Sequence, residues 1–426
     1  MKLHWFSPLP PWRSGVAEMA AGVLPLLAKA VDLTVWSAQE RLERLPISVR
    51  SLRGGVDWRE LSRADLCVFH LGNSAVHHRS IWEIARLHAG LVVLHDATLQ
   101  ELALGVLGED GRPDLWLAMN DRHHGRQARR LAEGVLTDPL RITELSDQFP
   151  LLAPALARAL GVLVHTPLAR DRVAELIDAP VSLTRLPWFE PRLPRTRPRT
   201  PPWRLVTFGH LGPNRGIAEI LGALDRRREL PLKLDIYGVL WDPRHVWDMI
   251  ARQRLDDRVT LHDFVPEEQL ARALADADLA LNLRLPTVGE ASLSQLRIFA
   301  HALPSVVVRS GWYASLPPDA VTFVRAEHAS DDLAAVFDAF AAGPETFRRG
   351  GEEGRRFLER HHTPEQWVDA LLDLADRARA FRPQRVAFDL AARLGHELAG
   401  GEPDSIAPPL AAACRRIDEV FNRHQE

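Results

Sequence analysis

A glycine-rich segment in the middle of the chain has the residue types needed to hold a phosphate group. It reads Phe208-Gly209-His210-Leu211-Gly212-Pro213-Asn214-Arg215-Gly216, after an apolar stretch and before a helical pattern. Glycines let a ligand approach the backbone, and a helix start supplies unpaired N–H groups and the positive end of its dipole. The guanidinium of Arg215 could add a charged fork for phosphate oxygens. The alternative is an ordinary strand-to-helix turn with a solvent-facing arginine, because the spacing differs from the dinucleotide-binding fingerprint.

A second candidate site lies where another predicted strand, at residues 279–283, gives way to a helix. The connecting segment contains Gly289-Glu290-Ala291-Ser292-Leu293-Ser294. One interpretation is that Glu290 and nearby N–H groups hold sugar hydroxyls or a phosphate. The other is that Glu290 is an acid favoured by the helix dipole, with Ser292 or Ser294 as the cap. The spacing alone favours neither.

His95 is the candidate catalytic residue of the first half of the chain, because it directly follows the predicted strand 91–94. A histidine there can accept a hydrogen bond from a substrate hydroxyl or stabilise developing charge. Against this, His70, His78 and His165 occupy comparable places among 18 histidines. Paired carboxylates, a Ser-His-Asp order and a zinc pattern do not stand out. The one Asp-x-Asp pair, 276–278, is expected at a solvent-facing helix end, which makes a poor metal site.

The elements that position these residues alternate between short apolar runs and helical patterns, which indicates βαβ units and parallel sheets. A Pro/Arg-rich segment interrupts the alternation and reads as a stiff linker. The sequence therefore predicts an α/β protein with two Rossmann-like domains facing across a cleft. The predicted parts are an N-terminal domain at 1–188, the linker at 189–203, a C-terminal domain at 204–362 and a helical tail at 363–426 that packs back towards the first domain. The predicted strands are residues 3–7, 32–36, 66–71, 91–94 and 161–165, then 204–208, 233–237, 259–262, 279–283, 305–308 and 321–325.

Composition narrows the function classes. The 426 residues carry 53 Lys+Arg against 56 Asp+Glu, so the formal net charge of −3 gives no reason to expect nucleic acid as a partner. Two cysteines cannot build a disulfide framework, and Cys67 is expected to be a buried thiol. The N-terminus lacks the features of a signal peptide, and no apolar stretch is long enough to span a membrane. We expect a cytoplasmic protein, at most peripheral at the inner face of the membrane.

Taken in chain order, these segments resemble the retaining, nucleotide-sugar-dependent glycosyltransferases of the GT-B fold, family-4 type. The opening segment 6–15 looks like the family's first strand and the glycine turn beneath the donor phosphates. His95 is similar to the histidine near the donor sugar, and 208–216 to the basic diphosphate loop. Residues 259–276 look like the strand, turn and helix beside the nucleotide base. Residues 282–308 are similar to the segment with the family's two-glutamate motif.

The resemblance implies transfer of a sugar from a nucleoside diphosphate to an acceptor hydroxyl with retention of configuration. The acceptor would be a carbohydrate, a lipid-linked molecule or a small molecule; no cofactor or metal is implied, and the oligomeric state is left open. His95 and Glu290 would be the catalytic residues, with His95 near the reacting carbon and Glu290 on the sugar hydroxyls. The implied nucleotide-sugar and phosphate contacts are Gly15, Gly209, His210, Asn214, Arg215, Gly216, Gly289, Ala291, Ser292 and Arg297.

Four positions depart from the family pattern. Many members have arginine where His210 stands and lysine where Arg215 stands. The arginine at position 215 keeps the positive charge of that lysine. Arg297 stands where the second glutamate binds the ribose hydroxyls, and Glu290 lies one position later than the first. One hypothesis is a deoxynucleotide donor such as a dTDP-sugar; another is that Arg297 contacts phosphate.

Two other functions remain open at this stage. The chain could be a catalytically silent GT-B subunit that binds a partner or a glycan, or an epimerase or hydrolase of nucleotide sugars. The latter would need a carboxylate pair in the cleft. A weak peripheral contact with anionic lipid is also open, through residues 12–13 and an Arg/His-rich helix predicted at 121–130; the alternative there is a solvated basic helix.

Overall fold

The computed structural model describes residues 1–400 apart from 13, 44, 190–195, 198 and 288, and gives only the backbone of 392–400. The predicted linker therefore lies partly, and residues 401–426 of the predicted tail lie wholly, outside the described residues. The two predicted parallel sheets are present, each covered by helices.

The first sheet has seven parallel strands in the order β3-β2-β1-β4-β5-β6-β7. Its internal strands β4, β5 and β6 are buried along their whole length, so they read as continuous apolar runs. The strands are β1 Lys2–Phe6, β2 Asp32–Ser37, β3 Val49–Ser51, β4 Leu66–Leu71, β5 Gly90–Leu94, β6 Ala159–Val164 and β7 Val181–Leu183. The helices are α1 Gly15–Ala30, α2 Trp58–Leu61, α3 Ala75–Ala85, α4 Gln100–Glu109, α5 Pro113–His124, α6 Arg126–Thr137, α7 Ile142–Gln148, α8 Ala153–Leu156 and α9 Pro167–Ala174.

The second sheet has six parallel strands in the order β10-β9-β8-β11-β12-β13. Its strands are β8 Trp203–Leu211, β9 Leu232–Leu240, β10 Val259–His262, β11 Leu279–Leu281, β12 Ser305–Val308 and β13 Thr322–Val324. The helices are α10 Ile217–Arg226, α11 Pro243–Arg252, α12 Glu267–Asp276, α13 Leu293–Ala300, α14 Ala329–Ala342, α15 Pro344–His361 and α16 Pro364–Gly400. In both sheets the parallel strands bring their carboxyl ends to one edge, where ligands of open α/β sheets bind.

The last described helix, α16, packs on the first domain although it follows the second in sequence. Trp367, Leu371 and Leu374 recur at helical spacing and are fully buried in the same core cluster as Leu3 and Trp5 of β1. The chain therefore returns to its first sheet after completing its second.

Two details of the sequence interpretation are wrong. The predicted single helix at 121–130 is divided by Gly125, whose φ of 82° ends α5 and starts α6. The expected solvent-facing Asp276–Asp278 pair instead holds the chain between the domains: Asp276 accepts from Thr196, and Asp278 is buried and pairs with Arg197 at 2.8 Å. Cys67 is buried as predicted, and burial raises the pKa of its thiol to about 12. No helix in the described part of the chain is long and apolar enough to cross a membrane.

Candidate active site

The turn near the end of β8 has a backbone conformation that favours glycine at position 209. Gly209 has a φ of 111°, a backbone conformation that side chains disfavour, and a Cβ there would lie 2.8 Å from Nη2 of Arg215. Gly216 has a φ of 65° and starts α10, and a Cβ there would lie 2.8 Å from the Leu283 side chain. These two glycines let the backbone fold tightly around Arg215.

Arg215 is buried, only 6% exposed, so the alternative of a solvent-facing arginine is wrong. Its Nε donates to the carbonyl of His210 at 2.8 Å, and longer bonds of 3.4 and 3.5 Å reach Asn282 and the carbonyl of Phe208. A guanidinium has five N–H donors, so two are left after these three bonds. Arg215 therefore shapes the loop and places a fixed positive charge beneath it.

Asn214 joins this loop to the second candidate segment. Its carbonyl accepts a hydrogen bond from the N–H of Leu285 at 2.8 Å, and its side-chain amide donates to the carbonyl of Pro286 at 3.3 Å. The phosphate-type loop and the turn that carries Glu290 are thus one connected structure, although some 70 residues separate them in the chain.

Ser292 caps α13, as the helix-cap interpretation of this segment predicted. Its buried hydroxyl accepts from the N–H of Gln295 at 3.1 Å. Gln295 is buried in turn and accepts from Asn282 at 3.0 Å. The N–H groups at Leu293 and Ser294, in the first turn, have no intrahelical partner and lie at the positive end of the helix dipole. Ala291 lies half-buried just before this cap.

Glu290 is held in one orientation within its own turn. One carboxylate oxygen lies 3.0 Å from Nε of Arg284, and the other accepts from the hydroxyl of Thr287 at 3.2 Å. Gly289, with a φ of 91°, lets this turn approach the first domain, since a Cβ there would lie 2.5 Å from Leu168. Glu290 is thus a fixed hydrogen-bond acceptor at the domain boundary.

The two domains also meet where α1 and α13 begin. Ser14 caps α1 by accepting from the N–H of Ala17 at 3.1 Å. A Cβ at Gly15 would overlap a methyl group of Leu293 in the first turn of α13. The starts of two helices, one from each domain, therefore lie against each other at the carboxyl edges of both sheets. This arrangement directs two positive dipole ends into one region.

His95 lies at the end of β5, half-buried, with Nε2 3.0 Å from Nδ1 of His70. Burial lowers its pKa well below the usual range, and the nearby histidines lower it further. His95 is therefore neutral at pH 7. The nitrogen that remains for a ligand is Nδ1.

Asp96 is a site residue that the sequence argument passed over. Its carboxylate accepts from the N–H of Asn73 at 2.7 Å. Burial raises its pKa to about 7, with a further increase from the negative charge of Glu290 in the other domain. The feature of the sequence that could have indicated Asp96 is its position beside His95 at the end of a buried strand. Its partner could not be recognised, because only folding brings Glu290 near.

His210 is exposed and lies close to the first domain. Burial lowers the pKa of His77, and the positive charge that His210 can carry lowers it further. The His77 ring contacts Trp12 edge to face, with centroids 5.3 Å apart. His210 thus extends a polar and aromatic wall formed by the first turns after β1 and β4.

Arg297 lies on α13, one turn after Leu293. Its guanidinium is 3.1 Å from Glu267 of α12 and 3.8 Å from Glu18 of α1, with Trp188 beneath it at 5.9 Å. Only 13% of its side chain is exposed. Its charge is therefore matched by two carboxylates.

The described residues were also compared with the side-chain groups that bind metal ions in proteins. Among the residues that the structure describes, no three histidine, cysteine, aspartate or glutamate side chains lie close enough together to hold a metal ion.

Comparisons with known proteins identify the fold. Residues 215–373 match the family model described as glycosyl transferase-like. No curated protein matches the sequence.

Among solved structures, a sucrose-phosphate synthase from Thermosynechococcus elongatus aligns with a TM-score of 0.59 and 14% identity, over 89% of this chain and 99% of that one. WaaG, a glycosyltransferase involved in lipopolysaccharide biosynthesis, aligns with a TM-score of 0.55 and 13% identity, over 86% of this chain and 98% of that one. Anabaena HepE, solved in complex with UDP-glucose, aligns with a TM-score of 0.54 and 12% identity, over 88% of this chain and 99% of that one. The two parallel-sheet domains have the GT-B fold, and the predicted fold class is confirmed. A glycosyl transferase-like domain covers most of the second domain.

Proposed function

We propose that the protein is a retaining glycosyltransferase that moves a sugar from a nucleoside-diphosphate sugar to an acceptor hydroxyl. The observation that carries this proposal is the meeting of α1 and α13 at Gly15 and Leu293, beside the Gly209 loop. Two helix starts and a buried arginine converge there, and this combination suits a diphosphate. The glycosyl transferase-like match at 215–373 and the structural relatives support the same chemistry.

In this proposal catalysis is positioning and charge stabilisation, without a metal ion or a cofactor. The N–H groups at the Gly15 and Gly209 turns and at the start of α13 hold the departing diphosphate, above the charge of Arg215. Glu290, fixed by Arg284, accepts hydrogen bonds from the sugar hydroxyls. The anomeric C–O bond to the diphosphate breaks, the acceptor oxygen bonds to the same face of that carbon, and the departing diphosphate oxygen takes the acceptor proton.

The nucleotide is a separate part of the proposal. HepE was solved with UDP and with UDP-glucose, which makes a uridine donor the first to test. Glu18 and Glu267 flank Arg297, so its charge is less available for phosphate than the sequence hypothesis assumed. Calorimetric titration with UDP, GDP and dTDP separates the choices: a clear preference for a ribonucleotide would end the deoxynucleotide hypothesis.

A thermal-shift screen against nucleotide sugars, followed by donor hydrolysis assays, tests the function itself. A bound donor raises the melting temperature by mass action. We expect wild-type hydrolysis or transfer to fall about 100-fold or more in His95→Ala, Arg215→Ala and Glu290→Gln. Arg226→Ala, at an exposed position of α10, is the matched control and should keep wild-type activity. If the wild type neither binds nor turns over any nucleotide sugar, the protein is a silent GT-B subunit instead.

One observation favours a second candidate, a nucleotide-sugar hydrolase or epimerase. Such an enzyme needs a carboxylate pair in the cleft, and Asp96 and Glu290 approach each other across the domain boundary. Incubating the protein with donor in the absence of an acceptor distinguishes the candidates. Stoichiometric release of free sugar, or formation of an epimeric donor, at a rate no acceptor increases would favour the second.

A cytoplasmic, peripheral location stays part of the proposal, with a carbohydrate, lipid-linked or small-molecule acceptor. On the first domain, Arg126, Arg130 and Arg141 line a surface depression of about 680 Å³. Leu136 and Leu140 are exposed nearby in sequence. Basic and apolar groups together suit an anionic lipid surface. Co-sedimentation with phosphatidylglycerol vesicles tests this, and equal recovery with neutral vesicles would refute it.

A further inference from the structure

Behind His95 lies a group of buried histidines that the proposed reaction does not use. His70 is in β4, His78 in α3 and His165 directly follows β6, and each is at most 3% exposed. The rings of His70 and His165 lie 5.2 and 5.3 Å from that of His95. Burial lowers the pKa of all four side chains, so the group is neutral at pH 7.

The backbone fixes the proton position in two of these rings. Nδ1 of His78 lies 3.0 Å from the carbonyl of His70, and Nδ1 of His165 lies 3.1 Å from the carbonyl of Thr184. A carbonyl oxygen only accepts, so in both rings Nδ1 carries the proton and donates. Nε2 of His165 is consequently a bare acceptor.

The bond between His70 and His95 contains one proton, and its position decides what His95 can offer. If Nδ1 of His70 donates, Nε2 of His70 is a bare acceptor and His95 carries its proton on Nδ1. If Nε2 of His95 donates, the opposite holds: Nε2 of His70 becomes an N–H, and Nδ1 of His95 becomes an acceptor.

The surroundings of His70 favour the first arrangement. Within the described part of the chain, Nε2 of His70 and Nε1 of Trp367 are both buried without a hydrogen-bond partner. The indole N–H can only donate, and its ring lies 6.2 Å from the ring of His70. The two nitrogens are not hydrogen-bonded to each other, so the first arrangement leaves Nε2 of His70 as an unpaired acceptor, whereas the second would bury a second unpaired N–H beside the indole. Orphaned buried N–H groups are rarer than orphaned acceptors.

We infer that His70 is a positioning residue, which donates its Nδ1 proton to Nε2 of His95 and so holds His95 with a protonated Nδ1 available to a ligand in the cleft. This inference rests on the proposed function. It makes His95 a hydrogen-bond donor to a sugar oxygen, and it excludes His95 as the base that accepts the acceptor proton. The sequence had offered His95 either as an acceptor of a hydrogen bond from a substrate hydroxyl or as a group that stabilises developing charge.

Ring nitrogen NMR on the wild type tests the inference without any assay of transfer. In uniformly ¹⁵N-labelled protein at pH 7.5, with His95 assigned from the spectrum of His95→Gln, we expect the Nδ1–H tautomer of His95. The Nε2–H tautomer would overturn the inference. The Nδ1–H tautomer in a protein without transferase activity would instead retain the arrangement and refute the proposed function.

Two substitutions of His70 test its effect on the reaction. In His70→Asn the amide nitrogen is two bonds from Cβ, like Nδ1 of histidine, and can donate to His95; His70→Leu removes the donor. We expect His70→Asn to keep most of kcat/KM and His70→Leu to lose about 10- to 100-fold, with the Kd for the nucleoside diphosphate unchanged. In the His95→Ala background, His70→Leu should cause no further loss. An equal loss in both backgrounds would show a merely structural role and overturn the inference.

Discussion

The guanidinium of Arg297 lies 3.1 Å from the carboxylate of Glu267 and forms a bridge between α13 and the start of α12. The same guanidinium faces Glu18 of the first domain at 3.8 Å. The resemblance to retaining glycosyltransferases implies a glutamate at 297, so the reversal of charge at this position looked like the loss of a binding group. The structure shows that the reversal has local partners: the arginine connects both domains through two carboxylates.

Replacing Arg297 by glutamate should destabilise the protein. A carboxylate at 297 would be mostly buried, would lose both partners and would face Glu267 at close range. We expect a loss of about 1–3 kcal/mol in the free energy of unfolding, less than for a fully buried pair because the partner carboxylates are more than half exposed. Urea titration followed by circular dichroism measures it.

The matched control for this substitution is Arg226→Glu, whose partner Asp331 is also on the protein surface. It should change the free energy of unfolding by less than about 1 kcal/mol. Arg297→Gln should lie between the two. If Arg297→Glu is as stable as the wild type and gains affinity for a ribonucleotide, Arg297 does not have the bridging role described here.

Replacing Gly209 by alanine should damage the candidate phosphate loop. The φ of 111° disfavours any side chain, and the new Cβ would press on the Arg215 guanidinium. We expect a loss of about 1–3 kcal/mol in stability and a nucleoside-diphosphate affinity at least about 10-fold weaker. Gly108→Ala is the control. Gly108 lies within α4, where a Cβ meets nothing within 4 Å, and alanine there should stabilise by up to about 1 kcal/mol. Similar nucleotide affinities in both variants would show that the Gly209 loop does not contact the donor.

The sequence predicted the parts of the fold that have a strong local signal. The long buried strands β4 and β6 were predictable because both faces of each strand are covered, which makes the whole run apolar. The strands β3 and β7, of three residues each and partly exposed, lack that signal and were missed. Glycine turns and helix starts identified Gly209, Glu290 and Ser292 as candidates.

Contacts between distant residues were beyond the sequence. Nothing local indicates that Arg215 turns inward to the carbonyls of its own loop, or that the charge of Glu290 raises the pKa of Asp96. The histidines behind the cleft were visible only as separate residues at strand ends, and the shared proton between His70 and His95 depends on the order of β4 and β5 in the sheet.

The buried histidines should make the protein sensitive to mild acid. Burial lowers the pKa of His78, His165 and His362 to about 4, below the unfolded value of 6.5. The unfolded state therefore binds more protons between these values, and stability is lost as the pH falls from about 6.5 towards 4. The melting temperature should drop steeply over this window.

The variant His165→Asn isolates one contribution to the acid sensitivity. Its amide can still donate to the carbonyl of Thr184, and it has no group that titrates in this range. We expect a shallower fall in melting temperature below pH 6.5 than in the wild type. His245→Asn, at an exposed position of α11, should follow the wild-type profile. Identical profiles for all three proteins would mean that His165 does not titrate with unfolding.

The contribution of Asp96 to stability should depend on pH in the opposite direction to that of the buried histidines. Burial, and then the charge of Glu290, raise its pKa to about 7, whereas the unfolded value is 3.8. The folded state therefore binds more protons between these values, and this contribution to stability is present below pH 4 and is lost as the pH rises to 7. The difference between the folded and unfolded pKa values of Asp96 corresponds to at most about 4 kcal/mol in the free energy of unfolding.

Comparing Asp96→Asn with the wild type from pH 4 to 8 measures this contribution directly, because the histidine contributions cancel in the difference. The asparagine oxygen can still accept from the N–H of Asn73, so the turn should stay intact. We expect the variant to gain stability relative to the wild type as the pH rises to 7, and to show no further gain above it. Glu290→Gln removes the neighbouring charge and should move the midpoint of this gain to lower pH. A constant difference between Asp96→Asn and the wild type across the range would show that Asp96 is already ionised in the folded protein, and that Glu290 does not face it across the cleft.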